Sequence, residues 1–187
     1  VDGWDHGCKT HSHRGGSPPA GQVKKSAQFG DALKDLVADM FETMYAAQGV
    51  GLAAPQIGVL QRLFVVGIPA DYDDDGELID PAREYVLVNP EIVRSRGEEE
   101  MEEGCLSVPG YRGVVKRATE VLMKGQDLNG KNVRYKVSGF TAQAFQHERD
   151  HLDGILYVNR VESGDKLWRI NAEGEPEEIA EVLAEED

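Results

Sequence analysis

One hexapeptide, Gln146-His-Glu-Arg-Asp-His151, constrains this chain more than any other stretch. It contains the pattern His-Glu-x-x-His, and residues at i and i+4 of an α-helix lie one turn apart on the same face. A helix would therefore bring His147 and His151 together as ligands of one metal ion. Because Glu148 directly follows the first ligand, its carboxylate would reach a water molecule on that metal.

The surrounding sequence predicts a helix at this motif. Residues 140–152 contain no glycine or proline, and Gly154 stands where a left-handed residue often follows a helix. Ser138-Gly139 separates this segment from a strand-like run. The five-residue pattern is short enough to arise by chance on a surface helix, so its interpretation depends on the rest of the chain.

The composition is typical of a soluble globular protein. Of the 187 residues, 40% are hydrophobic and 29% are charged, and no apolar run approaches the roughly 20 residues that cross a bilayer. The sequence shows no signal peptide, and two cysteines, Cys8 and Cys105, are too few for a disulfide framework. The formal net charge of −14 disfavours binding to DNA or anionic membranes. We therefore expect a cytoplasmic protein with reduced thiols.

Helix and strand signals are segregated along the chain. An apolar stripe at intervals of three and four residues predicts a helix over residues 29–47, and strand-like runs separated by turn residues follow over residues 62–137. The helix of the metal motif comes after them. This order predicts an α+β fold with largely antiparallel sheets packed around a central helix that carries the His-Glu-x-x-His motif.

The composition divides the chain into three regions. Residues 1–28 are rich in glycine, histidine, serine and proline, and we expect a flexible or atypical leader there. Residues 29–161 carry the strong patterns and form the predicted catalytic domain. Residues 162–187 are an acidic C-terminal tail, for which residues 176–185 predict a partly helical segment. Residues 155–161 are expected to be extended.

A third metal ligand must come from outside the helix. Catalytic zinc-type sites usually have three protein ligands and one open position, and the residues shortly after His151 offer no well-spaced histidine. Cys105 is the strongest candidate, because a cysteine beside a divalent metal is a thiolate. A lone buried cysteine is more often a packing residue. From the residues alone, Cys105 is therefore either a metal ligand or a packing residue.

Three segments, in this order, resemble motifs of the peptide deformylase family. Gly49-Val-Gly-Leu-Ala-Ala-Pro-Gln56 resembles G-x-G-L-A-A-x-Q, Glu103-Gly-Cys-Leu-Ser107 matches E-G-C-L-S, and the hexapeptide at residues 146–151 matches Q-H-E-x-D-H. The resemblance covers roughly residues 29–161. Residues 1–28 depart from it, because they lack the short strand with a G-x-P-x-L-like segment that normally precedes the first helix.

The resemblance implies a bacterial-type metallohydrolase that removes formyl from the N-terminal methionine of newly made polypeptides. It implies that Cys105, His147 and His151 bind one divalent metal ion, with Fe(II) favoured over zinc, nickel or cobalt. The expected partners are formyl-methionyl nascent peptides and, during translation, the ribosome.

The same resemblance assigns catalytic roles to three further residues. Metal-bound water would attack the formyl carbon, and Glu148 would take its proton and pass it to the leaving amine. The side-chain amide of Gln56 and the backbone N–H of Leu106 would hold the developing oxyanion.

A peptide site is implied around these residues. Gly49, Val50 and Gly51 are expected to bind the substrate, whose backbone would pair there as an added strand. Gly104, together with Gly51, would leave the tight space that the small formyl group needs.

Two residues are expected to stabilise the metal ligands without binding the metal themselves. Glu103 and Arg112 have opposite charges, and we expect them to stabilise the loop that holds Cys105.

Two other functions stay open on the residues alone. A general His-Glu-x-x-His metallopeptidase would explain the helix, although a thiolate ligand such as Cys105 makes a metal less Lewis-acidic than a third histidine or a carboxylate would. A non-catalytic module with a structural metal would explain the ligands, but it would not require Glu148 or Gln56. An assay that compares a formyl-methionyl peptide with an acetylated peptide and with an internal peptide bond distinguishes these two functions from deformylation.

Overall fold

Two α-helices and eleven strands make up the part of the protein that the computed structural model describes, residues 23–26 and 28–178. The helices are α1 (Asp31–Ala46) and α2 (Gly139–Leu152). The strands are β1 (Gly51–Ala53), β2 (Leu63–Ile68), β3 (Asp71–Tyr72), β4 (Leu78–Asp80), β5 (Arg83–Arg96), β6 (Glu99–Cys105), β7 (Val108–Arg117), β8 (Glu120–Gln126), β9 (Asn132–Ser138), β10 (Leu167–Ile170) and β11 (Pro176–Glu178).

The strands of this described region form two larger sheets and one small hairpin. The first sheet has the order β1-β2-β5-β8-β9, the second has the order β11-β10-β7-β6, and β3 pairs with β4. Neighbouring strands in all three are antiparallel. The predicted α+β class with largely antiparallel sheets is confirmed.

Helix α1 forms because its apolar residues recur on one face. Leu33, Val37, Met40 and Met44 are buried, and they pack in one core cluster with residues of β1, β2 and β5. The helix begins two residues later than the predicted start at residue 29. Its C-terminal end leads directly into the glycine-rich loop that precedes β1.

Helix α2 packs against the first sheet and is the central helix that the sequence predicts. Ala142, Phe145 and Leu152 belong to its core cluster, and the ring of Phe145 meets that of Phe64 edge-on at 5.5 Å. Gly154 follows the helix with φ of 75°, a conformation that glycine adopts without strain. This packing holds the metal motif against β1 and the end of the second sheet.

Two local predictions are wrong, and one strand was not predicted. Tyr157–Arg160 forms a 3-10 helix where an extended segment was expected. Pro176–Glu178 forms a strand where a helix was expected, because it pairs with β10; residues 179–187 lie outside the described residues. Strand β6 was not predicted, because its run of glutamates was interpreted only as solvated surface.

Residues 23–26 lie inside the predicted leader, yet they bond to the domain. The backbone of Lys24 bonds to Leu60 and Arg62, and the backbone of Ser26 exchanges two hydrogen bonds with the Asn89 side chain. Residues 1–22 lie outside the described residues. None of the described helices is long and apolar enough to span a membrane.

Candidate active site

The three predicted metal ligands converge at one point. Cys105 Sγ, at the end of β6, lies 3.1 Å from His151 Nε2, and His151 Nε2 lies 3.2 Å from His147 Nε2. The three ligand atoms lie within 4.8 Å of one another. Helix α2 supplies the two imidazoles one turn apart, and the last residue of β6 supplies the thiol. These residues are therefore able to hold one metal ion.

The electrostatics of this cluster suit a cation. Burial lowers the pKa of His147, but hydrogen bonds with Cys105 and Glu103 outweigh it and raise that pKa to about 10. Burial and the neighbouring His147 lower the pKa of His151 to about 3. The neighbouring Cys105 and Glu103 side chains thus favour a positive charge at this point. A donor set of two imidazole nitrogens and one sulfur fits iron, zinc, nickel or cobalt.

Glu148 lies beside the cluster and points into it. Its side chain is buried, and Oε2 has no hydrogen-bond partner among the residues that the structure describes. Burial raises the pKa of Glu148 to about 7. The charge of His147 opposes this rise, and the carboxylates of Glu103 and Asp150 add to it. A Cβ at Gly51 would lie 2.3 Å from Glu148 Oε1, so only glycine at that position leaves room for this carboxylate.

Gln56 has its side-chain amide fixed by two hydrogen bonds. Its Oε1 accepts a hydrogen bond from the Ala53 backbone N–H at 2.7 Å. Its Nε2 donates to Ser107 Oγ at 3.0 Å and lies 3.8 Å from Cys105 Sγ. Because the Ala53 N–H requires an acceptor, the NH₂ end of Gln56 faces the cluster.

A cavity of about 580 Å³ opens over these groups. It is lined by every predicted site residue except His151, namely Gly49, Val50, Gly51, Gln56, Glu103, Gly104, Cys105, Leu106, Arg112, His147 and Glu148. The side chain of Leu106 is exposed at its rim. The structure thus brings together residues that are separated by up to a hundred positions in the chain.

Behind the cluster lies an ion network that the sequence analysis did not predict. The Glu103 carboxylate bonds His147 Nδ1 at 2.8 Å and accepts two hydrogen bonds from Arg117 at 2.8 and 2.9 Å. Arg117 also donates to Asp150 at 2.6 Å, and Asp150 accepts two hydrogen bonds from Arg160. Of the two residues expected to support the loop of Cys105, Glu103 therefore belongs to this network and contacts His147, whereas Arg112 does not bond to it.

Arg112 instead pairs with the adjacent glutamate of β6. Its Nη1 donates to Glu102 Oε1 at 3.1 Å, and both side chains are about half exposed. Arg117 could not be chosen from the sequence, because the register of β6 on β7 and the faces of both strands were unknown. The only sequence signal for Asp150 was its position within the hexapeptide at residues 146–151.

Comparison with known proteins identifies the family. A model of the family described as polypeptide deformylase matches residues 18–167. The peptide deformylase of Thermomicrobium roseum is 50% identical over 152 residues, which are 81% of this chain and 84% of that protein. The chain belongs to the polypeptide deformylase family.

Other relatives and solved structures agree. The peptide deformylase of Dehalococcoides mccartyi strain CBDB1 is 45% identical over 161 residues, 86% of this chain and 90% of that protein. A crystal structure of a peptide deformylase from Legionella pneumophila has a TM-score of 0.65 and 46% identity, covering 75% of this chain and 78% of that one. The Synechococcus elongatus enzyme, in complex with actinonin, has a TM-score of 0.69 and 37% identity, covering 81% and 76%.

Membership of the polypeptide deformylase family makes this chain a hydrolase. The family acts on newly made polypeptides that carry an N-formyl group, and its members use a single metal ion. The convergence of Cys105, His147 and His151 provides one site of that kind.

Tyr157 lies against the cluster without a role in any of the three motifs. Its ring stacks on that of His147, with centroids 6.2 Å apart and an angle of 27° between the planes. Its hydroxyl is buried and has no hydrogen-bond partner in the described part of the chain. The Tyr157 ring therefore fixes the plane of the His147 imidazole by packing.

Of the two glycines expected to leave a tight space, Gly51 is crowded and Gly104 is not, and Gly49 is crowded as well. A Cβ at Gly104 would meet its nearest atom at 3.7 Å, an ordinary contact, whereas a Cβ at Gly49 would lie 3.0 Å from a Leu106 side-chain atom. Gly104 lines the cavity without being crowded.

Proposed function

We propose that this chain removes the formyl group from the N-terminal methionine of newly made polypeptides by metal-dependent hydrolysis. The observation that carries the proposal is the convergence of three ligand atoms with a buried carboxylate oxygen, on Glu148, that has no partner in the described region. Family membership supports the reaction class.

Cys105, His147 and His151 would hold the ion, with Fe(II) favoured because peptide deformylases often use it. A divalent ion there supplies Lewis acidity and brings the pKa of water towards neutrality. The bond between His147 Nδ1 and Glu103 leaves His147 Nε2 to face the ion.

Glu148 would transfer the protons. Its carboxylate takes a proton from the water that attacks the formyl carbon, and it then gives a proton to the leaving amine. Burial has already raised the pKa of Glu148 to about 7, which is suited to both steps near neutral pH.

Two donors would stabilise the oxyanion that develops on the formyl oxygen. The Gln56 amide is oriented in advance by the Ala53 N–H, and the backbone N–H of Leu106 follows Cys105 in the cavity wall. Preorganised donors of this kind are each worth about 3 kcal/mol of barrier.

The peptide would bind at an open strand edge. Strand β1 is the end strand of the first sheet among the described residues, and Val50 O accepts a hydrogen bond from Gly67 on the β2 side. The other edge of residues 49–51 faces the cavity and can pair with an extended peptide. Gly51 would keep this edge clear of side chains.

The proposal is tested by a substrate comparison on the metal-loaded protein. We expect turnover of formyl-Met-Ala-Ser and no turnover of acetyl-Met-Ala-Ser or of an internal peptide bond. Cleavage of the internal bond would favour a general metallopeptidase, a function that the His-Glu-x-x-His pattern also allows. Metal binding without any turnover would favour a non-catalytic module.

The metal ligands have a separate test. Cys105→Ser should lower metal affinity, because a hydroxyl is a poor ligand at neutral pH, while the matched variant Cys8→Ser should keep one ion per chain. Full metal content in Cys105→Ser would remove Cys105 from the ligand set. Activity after loading with iron, zinc, nickel or cobalt under exclusion of oxygen tests the preference for Fe(II).

We also propose that the chain acts in the cytoplasm, on nascent chains at the ribosome. Co-sedimentation with ribosomes that carry formyl-methionyl chains tests this, and the absence of any enrichment over the free protein would contradict it.

A further inference from the structure

One side of the first sheet, away from the metal ligands, is open to solvent. The buried Val121, Met123 and Val137 belong to the core cluster that α2 joins. Because successive residues of a strand point to opposite faces, the residues that alternate with them on β8 and β9 point away from α2. Helix α1 packs on this side only with residues of β1, β2 and the first half of β5 in its core cluster.

Positive charge is concentrated on the part of this side that lies beyond α1, which we call the basic face. Residues opposite each other on antiparallel strands share one face, and the register together with the ion pairs of Glu91 defines its members. Its exposed cations in the described part of the chain are Lys25, Arg94, Arg96, Lys124, Arg134 and Lys136. Its carboxylates are Glu91 and Glu120. This excess of cations contrasts with the net charge of −14 for the whole chain.

The lysines of the basic face are paired, whereas its arginines are not. Lys25 and Lys124 bond to Glu91 at 3.3 and 2.9 Å, and Lys136 bonds to Glu120 at 2.8 Å. The guanidinium groups of the three arginines form no hydrogen bond or ion pair with the residues that the structure describes. The face therefore presents three cations that are free to bind an external anion.

The strand register also sets like charges against each other. Lys124 lies directly opposite Arg134, an arrangement that destabilises a sheet unless an anion lies between the charges. On the other side of β8, the hydrogen bond from Lys136 and then the charges of Arg96 and Arg94 lower the pKa of Glu120. The cations are thus close enough together to act on one anionic surface.

A cavity of about 370 Å³ indents one end of the basic face. Lys25, Lys124 and Arg134 line it, with Glu91 as the only carboxylate among its lining residues. The lining also includes the side-chain amide of Asn89, which hydrogen bonds with the backbone of Ser26 hold in place. This end of the face offers an anionic group a recess as well as a surface.

The residue types favour phosphate on a double-stranded partner. A guanidinium group matches phosphate with a fork of N–H donors. Residues 91–96, 120–126 and 132–138 contain one aromatic residue, Tyr135, and it lies opposite Met123 on the core side. The face therefore lacks the aromatic platforms on which single-stranded bases stack and the aromatic anchors that are common at membrane surfaces. Duplex RNA is recognised largely through its phosphates and 2′-hydroxyls.

We infer that the basic face binds the phosphate backbone of duplex RNA. That RNA supplies the phosphates rests on the proposed function, which brings the chain to nascent polypeptides at the ribosome. Because the face points away from α2, bound RNA leaves the cavity over the metal ligands open. At about 0.1 M salt, charges more than about 10 Å apart are largely screened, so the acidic residues elsewhere do not prevent the contact.

The test measures binding of the full, metal-loaded chain to a labelled RNA duplex of about 16 base pairs by fluorescence anisotropy. We expect a Kd on the order of 10⁻⁵ M at about 0.1 M salt. Three arginines that each contact one phosphate release counterions, so the affinity should fall about twentyfold when the salt is raised to about 0.3 M.

A combined variant removes the three unpaired cations. Arg94→Gln, Arg96→Gln and Arg134→Gln in one protein should weaken binding about tenfold or more at about 0.1 M salt. The slope of log affinity against log salt should fall by about one for each arginine removed. Turnover of formyl-Met-Ala should be unchanged, because none of the three lines the cavity over the metal ligands.

A matched control removes the same charge from other exposed positions. Arg83→Gln, Lys116→Gln and Arg169→Gln in one protein change residues of β5 outside the basic face, of β7 and of β10. This variant should keep the affinity within about twofold and should keep the full salt slope. The pair of variants separates contact at the basic face from an effect of net charge.

Equal losses of affinity in the two combined variants would overturn the inference, and so would the absence of RNA binding by the unaltered chain. Displacement of the duplex by poly-glutamate as readily as by unlabelled RNA would also overturn it, because an acidic protein would then fit the face equally well. If the first combined variant does not fold, the salt slopes of the three single variants decide instead. Turnover of formyl-Met-Ala without RNA binding would refute this inference alone, whereas RNA binding without turnover would contradict the proposed function.

Discussion

Two neighbouring glutamates of β6 form ion pairs that differ in their surroundings. Glu102 pairs with Arg112 at the rim of the cavity, where the side chains are 51% and 52% exposed, whereas Glu103 pairs with Arg117 beneath the cluster, where both are 3% exposed. Successive residues of a strand point to opposite faces, so one step along the chain separates them. The comparison teaches that burial, rather than the charges themselves, decides how much stability is lost when one partner of an ion pair is removed.

The physical reason is solvation. An exposed pair exchanges water contacts for a screened attraction and is worth about 0–1 kcal/mol. A buried pair has lost its water, so removal of one partner leaves an uncompensated charge and costs about 3–5 kcal/mol. In this protein Arg117 balances two buried carboxylates, those of Glu103 and Asp150, and Glu103 in turn orients His147.

The largest expected effect is on turnover, and it contrasts the buried Glu148 with the rim residue Glu102. Glu148→Gln keeps the size of the side chain but cannot transfer protons, so kcat should fall by about 10²–10⁴-fold. Metal content should stay at one ion per chain. Glu102→Gln, measured on formyl-Met-Ala, should change kcat by about twofold or less. Loss of the ion in Glu148→Gln would contradict its role as a base.

The second prediction concerns stability and compares the two arginines. Arg117→Gln leaves the buried Glu103 carboxylate without its main partner and removes one of the two arginines that bond to Asp150, so the free energy of unfolding should fall by about 3–5 kcal/mol. Arg112→Gln should lower it by about 0–1 kcal/mol. Urea unfolding of both metal-free variants measures the difference, and equal losses would show that burial does not distinguish the two pairs.

The third prediction concerns acid stability. Burial alone would raise the pKa of Glu103, but hydrogen bonds from Arg117 and His147 outweigh it and lower that pKa from 4.5 to about 2. Since the folded-state pKa is depressed, this contribution is complete above pH 4.5 and is lost as the pH falls towards about 2. It amounts to about 3 kcal/mol. Glu103→Gln should flatten the fall in unfolding free energy over this window, and parallel curves would refute the assignment.

The smallest expected effect is on the free energy of unfolding when either of two tyrosine hydroxyls is removed. The hydroxyl of Tyr157 is buried without a described partner, so Tyr157→Phe should raise the free energy of unfolding by about 1 kcal/mol and keep the ring stacked on His147. The exposed hydroxyl of Tyr45 donates to Glu84 at 2.7 Å, so Tyr45→Phe should lower it by about 0.5–1 kcal/mol. Thermal unfolding of the metal-free variants measures both, and a large loss in Tyr157→Phe would reveal a hidden partner.

Local geometry explains which features could be predicted from the chain alone. The spacing of His147 and His151 implies one helical face, because a helix repeats every 3.6 residues whatever surrounds it. The apolar period of α1 and the position of Gly154 are local in the same sense. Gly51 could be marked as a close approach to the site, although the atom that requires it, Glu148 Oε1, is known only from the fold.

Contacts between distant segments were decided by tertiary structure. Glu103 and Arg112 were both expected to support the loop of Cys105, yet the faces on which their side chains lie pair Glu103 with Arg117 and Arg112 with Glu102. The glutamates of β6 were interpreted only as solvated surface, because composition does not reveal strand pairing. The 3-10 helix at Tyr157–Arg160 exists where Arg160 reaches back to Asp150.

The sequence by itself therefore determined the family, the candidate base and the two candidate ligands of α2, since each depends on residue types at short, fixed spacings, whereas Cys105 was chosen through the resemblance to the family. Only the tertiary structure decided what surrounds them: the buried Arg117 network, the Tyr157 ring and the cavity over the cluster. The physical reason is that a strand register or a buried charge depends on the free energy of the whole packed domain, whereas helical spacing depends on the backbone alone.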